Sequence, residues 1–110
     1  MKSPFVPGSL VVVYLHSPRE KFWGVLRELS PAGVSVRGID VSSFDDWLRG
    51  VQSRSCEEAT AVIRPSLAFY PLMRVEKMLL DEPDDGLGLD AQCAARTGVG
   101  ARRFLEQTDV

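Results

Sequence analysis

The chain has few of the residues that build metal centres, disulfide frameworks and membrane spans. Its 110 residues include two cysteines and one histidine, and these lack the close spacing of a zinc site. Cys56 and Cys93 are far apart, so we expect free thiols rather than the dense disulfides of a small secreted domain. The apolar run Leu10–Leu15 is too short for a transmembrane helix or a signal peptide. We therefore expect a cytoplasmic protein with no metal, no cofactor and no membrane partner.

Positive charge is also scarce. The net charge is -2 at pH 7 and the isoelectric point is about 5.3, whereas binding to phosphate backbones requires a surplus of lysine and arginine. This balance disfavours RNA as a partner and gives no reason to expect DNA. Apolar residues, in contrast, make up 45% of the chain. That fraction and the chain length are typical of one folded domain.

The first part of the chain predicts three antiparallel strands. They cover residues 9–16, 21–29 and 34–40, are rich in β-branched and aromatic residues, and are separated by turns with proline or glycine. In the second strand, Phe22 and Trp23 begin two alternating sets of side chains that face opposite sides of the sheet. Gly24 lies inside this strand and indicates a sharp bend or a close backbone approach.

A short helix is predicted over residues 43–50. Ser42 and Ser43 suit an N-cap, and Asp45 and Asp46 follow in the first turn, where negative charge stabilises a helix. The adjacent carboxylates could also be considered as an acid–base pair. Neighbouring helical residues point in different directions, however, so the helix-terminal role explains them better.

Two further strands are predicted after this helix. Residues 59–64 form the fourth strand, and Pro65 ends it. Residues 66–71 are either an extended link or a bulge, and residues 72–81 favour a fifth strand over a helix. The expected organisation is a β-domain over residues 1–82, followed by a helical C-terminal extension over 83–110.

Two segments resemble the Sm/Lsm family of small β-barrels. The order aromatic, glycine, aliphatic in Phe22-Trp23-Gly24-Val25-Leu26 is similar to the first half of the family motif. Ile63-Arg64, before a turn and a final aliphatic strand, is similar to the second half. The resemblance implies a mainly β fold: a five-stranded Sm/SH3-like barrel with a short inserted helix and a C-terminal helical appendage.

The same resemblance also carries expectations about partners. Family members associate through their fourth and fifth strands, and they bind RNA through an arginine that matches Arg64. The family's base-reading Met-Asn pair is replaced here by Ala32-Gly33, and the family's aspartate after the second strand is replaced by Ser30. These departures weaken the RNA-binding expectation more than the fold expectation.

Self-association is the leading functional hypothesis. The chain has a dense apolar segment next to a predicted edge strand, and such edges pair readily with another copy. The predicted oligomer interface consists of Ile63, Leu67, Phe69, Tyr70, Leu72 and Met73.

Two alternatives remain. The first is an RNA-binding protein that uses Arg64, Arg37 and Tyr70, with an aromatic ring as the stacking platform. The second is a small-ligand-binding barrel, or an enzyme whose site is shared between subunits. His16 could act as a general base, but no orienting acid or nucleophile motif accompanies it in the sequence. We therefore expect a binding or assembly module rather than an enzyme.

Overall fold

The computed structural model describes residues 3–52, 63–83 and 87–106. The chain is mainly β, and its strands form one antiparallel sheet in the order β4-β3-β2-β1-β5. The strands are β1 (Leu10–Leu15), β2 (Glu20–Leu29), β3 (Gly33–Asp40), β4 (Ser66–Pro71) and β5 (Val75–Leu80). The helices are α1 (Phe44–Gln52), α2 (Leu89–Thr97) and α3 (Arg102–Leu105), and single 3-10 turns cover Val41–Ser43 and Leu72–Arg74.

The first three strands and the inserted helix confirm the sequence-based predictions. The helix begins later than expected because a 3-10 turn precedes it. Asp40 caps that turn, and its carboxylate accepts a hydrogen bond of 2.9 Å from the Ser42 N–H. Asp45 and Asp46 lie in the first turn of α1, as the helix-dipole argument requires.

The fourth strand of the described chain lies later than the predicted segment 59–64. Residues 59–62 of that segment lie outside the described residues, and Ile63 and Arg64 do not belong to a strand. The observed β4 starts after Pro65 and includes Pro71, in the segment expected to be a link or a bulge. Proline is tolerated there because β4 is an edge strand, where an N–H that would point away from the sheet is not needed.

The sheet is open, so a closed barrel is not confirmed. Among the described strands, β4 pairs with β3 and β5 pairs with β1, but β4 and β5 do not pair with each other. The sheet is nevertheless strongly curled. Phe22 and Tyr70 lie opposite Asp40 and Val34 of β3, which are about 20 Å apart along an extended strand. Their rings nevertheless meet, with centroids 5.5 Å apart.

Two glycines mark where this curvature arises. Gly24 and Gly38 face each other across β2 and β3. A Cβ on either residue would lie 2.6 Å from the Cα of the other, which confirms the close backbone approach expected at Gly24.

Both faces of the sheet are apolar. On one face, which we call the helix face, Trp23 and Val25 pack against all three helices; on the second face, Phe22 and Leu26 form a separate cluster. This division confirms the predicted alternation from Phe22 to Leu26. Beyond Leu26 a register shift places Glu28 opposite Ser35 and Leu29 opposite Val34, so the last part of β2 does not keep the predicted faces. The described part of the C-terminal extension packs on the sheet of its own chain, because Leu89, Cys93, Ala101 and Leu105 belong to the helix-face cluster.

Asp81 fastens this extension to the sheet. It directly follows β5, is 9% exposed, and accepts a 2.8 Å hydrogen bond from the Trp23 indole N–H. The same carboxylate accepts hydrogen bonds from the first two N–H groups of α2, those of Leu89 at 3.0 Å and Asp90 at 2.8 Å. The N-cap residue of α2 is Gly88, which has no side chain, and the Asp81 carboxylate supplies the capping hydrogen bonds in its place.

Candidate functional site

The surface at β4 is the strongest candidate site. Leu67, Phe69, Leu72 and Met73 expose 60%, 55%, 43% and 80% of their area. These four side chains, which we call the edge patch, come from β4 and from the 3-10 turn that follows it. Isolated exposed apolar residues are ordinary, but four large ones in one short segment are characteristic of a contact surface.

The edge patch begins where the helices stop covering the sheet. Leu67 lies opposite Arg37, and Phe69 lies opposite Ser35. Because opposite residues share a face, and Arg37 also lies opposite Val25 of the helix-face cluster, both β4 side chains lie on the helix face. The Arg37 Nε donates a 3.1 Å hydrogen bond to the Leu105 carbonyl at the end of α3. β3 is therefore the last strand that the helices contact on this side, and Leu67 and Phe69 lie on β4, the next strand outward.

The other two residues of the predicted interface lie elsewhere. Tyr70 belongs to the second face, where its ring contacts Phe22 edge-on. Ile63 is partly buried against the helix-face cluster. The predicted interface set is therefore divided into four exposed side chains and two that pack against the chain's own cores.

None of the described residues pairs with the outer side of the β4 backbone. Leu72 N–H donates a 3.2 Å bond to the Ala32 carbonyl, which makes this pair a hydrogen-bonded one in the antiparallel ladder. Bonded and non-bonded pairs alternate along such a ladder. The N–H and C=O groups of Leu67 and Phe69 therefore point away from β3. Within the described part of the chain they have no backbone or side-chain partner.

The proposed RNA-contacting residues do not form one surface. Arg37 lies on the helix face and binds the Leu105 carbonyl, while Tyr70 lies on the second face. Arg64 is exposed just before β4. The guanidinium of Arg74 lies 5.8 Å from the Tyr70 ring centroid. Arg74 also donates to the carbonyls of His16 and Pro18 at 3.2 and 2.9 Å, so it ties β5 to the β1–β2 turn.

Burial and charge raise the pKa of Tyr70. Burial is the larger cause, the carboxylates of Glu20 and Asp40 act in the same direction, and the guanidinium of Arg74 opposes them. The fold therefore favours the neutral phenol, whereas the unfolded chain loses this proton near pH 10.

Substitution of Tyr70 by phenylalanine is expected to reduce the loss of stability at alkaline pH. Because the pKa is higher in the folded state, the wild-type free energy of unfolding falls as the pH rises through about 10 and beyond, until the folded phenol also ionises. Urea unfolding followed by circular dichroism between pH 8 and 11 should show a shallower decline for Tyr70→Phe. Parallel curves for the two proteins would exclude Tyr70 as the group responsible.

The candidate catalytic residues Asp45, Asp46 and His16 are all exposed. Asp46 forms an ion pair with Arg49 one turn later. The exposed His16 has its Nδ1 3.3 Å from the Ser17 hydroxyl. Within residues 3–52, 63–83 and 87–106, no cluster of His, Cys, Asp or Glu side chains is arranged to hold a metal ion.

A groove of about 630 Å³ lies beside the edge patch, between the N-terminal segment and strands β2 to β4. It is lined by Ser3, Phe5, Pro7, Arg27, Glu28, Leu29, Ser35 and Leu67. Sequence reasoning missed this groove because it depends on how the N-terminal segment crosses the sheet.

A second feature that sequence reasoning missed is a row of three side chains on neighbouring strands. Tyr14 lies opposite Lys21 on one side and Lys77 on the other. The two ammonium groups are 5.4 and 4.8 Å from the tyrosine ring centroid, within the range of cation–π contacts.

Comparison with protein-family models, with curated proteins and with solved structures finds no match to this chain. None of the helices in the described ranges is long and apolar enough to cross a bilayer. The function is therefore inferred from the chain's own geometry, in which the edge patch on the edge strand β4 is the strongest candidate surface.

Proposed function

We propose that this chain is a non-enzymatic assembly module with an Sm-like fold, and that it self-associates through the region of its last two strands. The fold assignment is supported by the strand order β4-β3-β2-β1-β5 and by the strong curl of the sheet at Gly24 and Gly38. In this view the sheet is an Sm-like barrel that is left open between β4 and β5.

The observation that carries the proposal is the combination of free backbone and exposed apolar side chains on one strand. Leu67 and Phe69 present N–H and C=O groups that no described residue pairs, together with half-exposed apolar side chains. Proteins that avoid edge pairing place lysine or other charges at such positions. The sequence of β4, Ser-Leu-Ala-Phe-Tyr-Pro, has no charged residue.

RNA binding is less well supported by the geometry. Arg37 and Tyr70 lie on opposite faces, and the guanidinium of Arg37 is already engaged with α3. A nucleotide would have to contact both faces of the sheet to use them together.

Introducing a charge into the edge patch is expected to dissociate the assembly. Wild-type protein at micromolar concentration should scatter light as a dimer or a larger oligomer. Phe69→Glu should be monomeric, because pairing would bury its carboxylate without a partner. Ala95→Glu is the matched control, since it adds the same charge at an exposed position of α2. A monomeric wild type would refute the proposed self-association, and equal oligomeric masses for the two variants would refute the edge patch as its contact.

A further inference from the structure

We infer that β4 pairs with β4 of a second copy, antiparallel and about a two-fold axis at Ala68, so that two five-stranded sheets join into one continuous sheet. The inference rests on the proposed self-association and specifies its geometry. It concerns the edge β4 alone, and it predicts a closed dimer rather than a ring.

The backbone pattern of β4 favours this register. Its outward N–H and C=O groups belong to Leu67 and Phe69, whereas Pro65 and Pro71 on either side have no N–H to offer. With the axis at Ala68, Leu67 lies opposite Phe69 of the second copy. Each such pair exchanges two hydrogen bonds, and both residues are fully paired in both copies.

Other registers satisfy fewer of these groups. With the axis at Phe69, Leu67 would face Pro71 of the second copy, and its carbonyl would find no donor. With the axis at Leu67, the Phe69 carbonyl would face Pro65 in the same way. Only the axis at Ala68 pairs prolines with prolines, beyond the hydrogen-bonded centre.

The charge distribution favours β4 over β5 as the partner strand. An isologous pairing brings similar side chains of the two copies close together, so a charged edge repels its own copy. Among the residues of β4 none is charged, whereas β5 exposes Glu76 and Lys77 and has an irregular register near Val75. A head-to-tail pairing of β4 with β5 would instead build a ring or a filament.

The side chains of the edge patch complete the contact. Leu67 and Phe69 lie on the helix face of each copy, so pairing places four apolar side chains in one row across the junction. Arg37 and Ser35 lie next to this row on the neighbouring strand. Leu67 and Phe69 are each more than half exposed, so the contact removes large apolar side chains of both copies from water in addition to pairing their backbones.

Cysteine cross-linking tests the register. In a Cys56→Ser, Cys93→Ala background, Ala68→Cys should form a disulfide-linked dimer on mild oxidation, because Cα atoms of a directly opposed pair are about 4.5 Å apart. Leu67→Cys and Phe69→Cys alone are the matched controls, since each would lie more than about 7 Å from its own copy. A mixture of these two variants should cross-link with each other.

Hydrogen exchange tests the same geometry in the unmodified protein. Under assembling conditions the amides of Leu67 and Phe69 should exchange at least tenfold more slowly than in dilute monomer. The amides of Met78 and Leu80, which point outward from β5 by the same alternation, should keep their rates.

The outcomes separate this inference from the proposed function. An oligomer that cross-links at Leu67→Cys or Phe69→Cys alone, or that protects β5 amides as well, would overturn the two-fold at Ala68 and leave self-association standing. Capture of another protein's strand, with wild-type chain monomeric, would overturn both, as would monomers with freely exchanging β4 amides. Dimers that cross-link at Ala68→Cys and protect β4 alone support both.

Discussion

Asp81→Ala is expected to destabilise the fold by about 2–4 kcal/mol, since an unsatisfied buried donor costs about 1–3 kcal/mol and the loss of a helix cap costs about 1 kcal/mol. The carboxylate holds the Trp23 indole N–H and two N–H groups of α2. Alanine leaves the indole donor without an acceptor in the core and leaves α2 without its cap. The thermal midpoint should fall by roughly 15 °C for a domain of this size.

Two comparisons isolate the cause of this loss. Glu82→Ala removes the neighbouring carboxylate, which is exposed, and should change stability by less than about 0.5 kcal/mol. Asp81→Asn keeps one acceptor oxygen and should fall between wild type and Asp81→Ala. If Asp81→Ala unfolds with the same urea midpoint as Glu82→Ala, Asp81 does not fasten the C-terminal extension.

Asp81 also shows what the sequence could not reveal. An acidic residue after a strand is usually solvated, and nothing local distinguishes this one. Its indole partner is 58 positions away in the chain. That contact depends on α2 folding back over the sheet. The periodicity of apolar residues along the sequence does not predict this packing.

The first three strands, in contrast, were predictable because local signals agree. Alternation, β-branched residues and turns with proline or glycine point to the same strands. The two faces of β2, with Phe22 on one and Trp23 on the other, follow from period two alone. The capping and period of α1 predicted that helix, and only its start differs.

The error at β4 has a physical explanation. Pro65 and Pro71 were interpreted as breaks on each side of a link, and proline does break an interior strand. At an edge, however, proline removes only an outward N–H, so two prolines separated by six positions are compatible with an edge strand. The even spacing of the two prolines could have indicated this edge strand. In an extended chain it directs both proline nitrogens to the same edge, the one that does not face β3.

The candidate site was only partly predictable for a related reason. Hydrophobicity identified the apolar segment that contains the edge patch, but not which of its side chains are exposed. Leu67 and Phe69 differ from Ala68 and Tyr70 only by their place in the alternation. Which of these two sets of β4 side chains packs against the chain's own core depends on the curl of the sheet. That curl depends in turn on Gly24 and Gly38.

Gly38→Ala is expected to cost about 3 kcal/mol or more, because the added methyl group collides with backbone rather than with flexible side chains. Its Cβ would overlap the Trp23 carbonyl oxygen and would lie 2.6 Å from the Gly24 Cα. To relieve the collision, β2 and β3 must separate where the sheet curls. Tyr70 should then lose its contact with Phe22, and near-ultraviolet circular dichroism should change along with the unfolding midpoint.

Gly50→Ala is the matched control, because a Cβ at this position in α1 meets nothing within 4 Å. Alanine is the better helix former, so this variant should be more stable than wild type by about 0.5–1 kcal/mol. If Gly38→Ala lowers the free energy of unfolding and Gly50→Ala raises it, glycine is required at position 38 because the backbones approach closely, and not because the chain needs flexibility there. If Gly38→Ala proved as stable as Gly50→Ala, β2 and β3 could tolerate a side chain at the bend, and the curl would need a different cause.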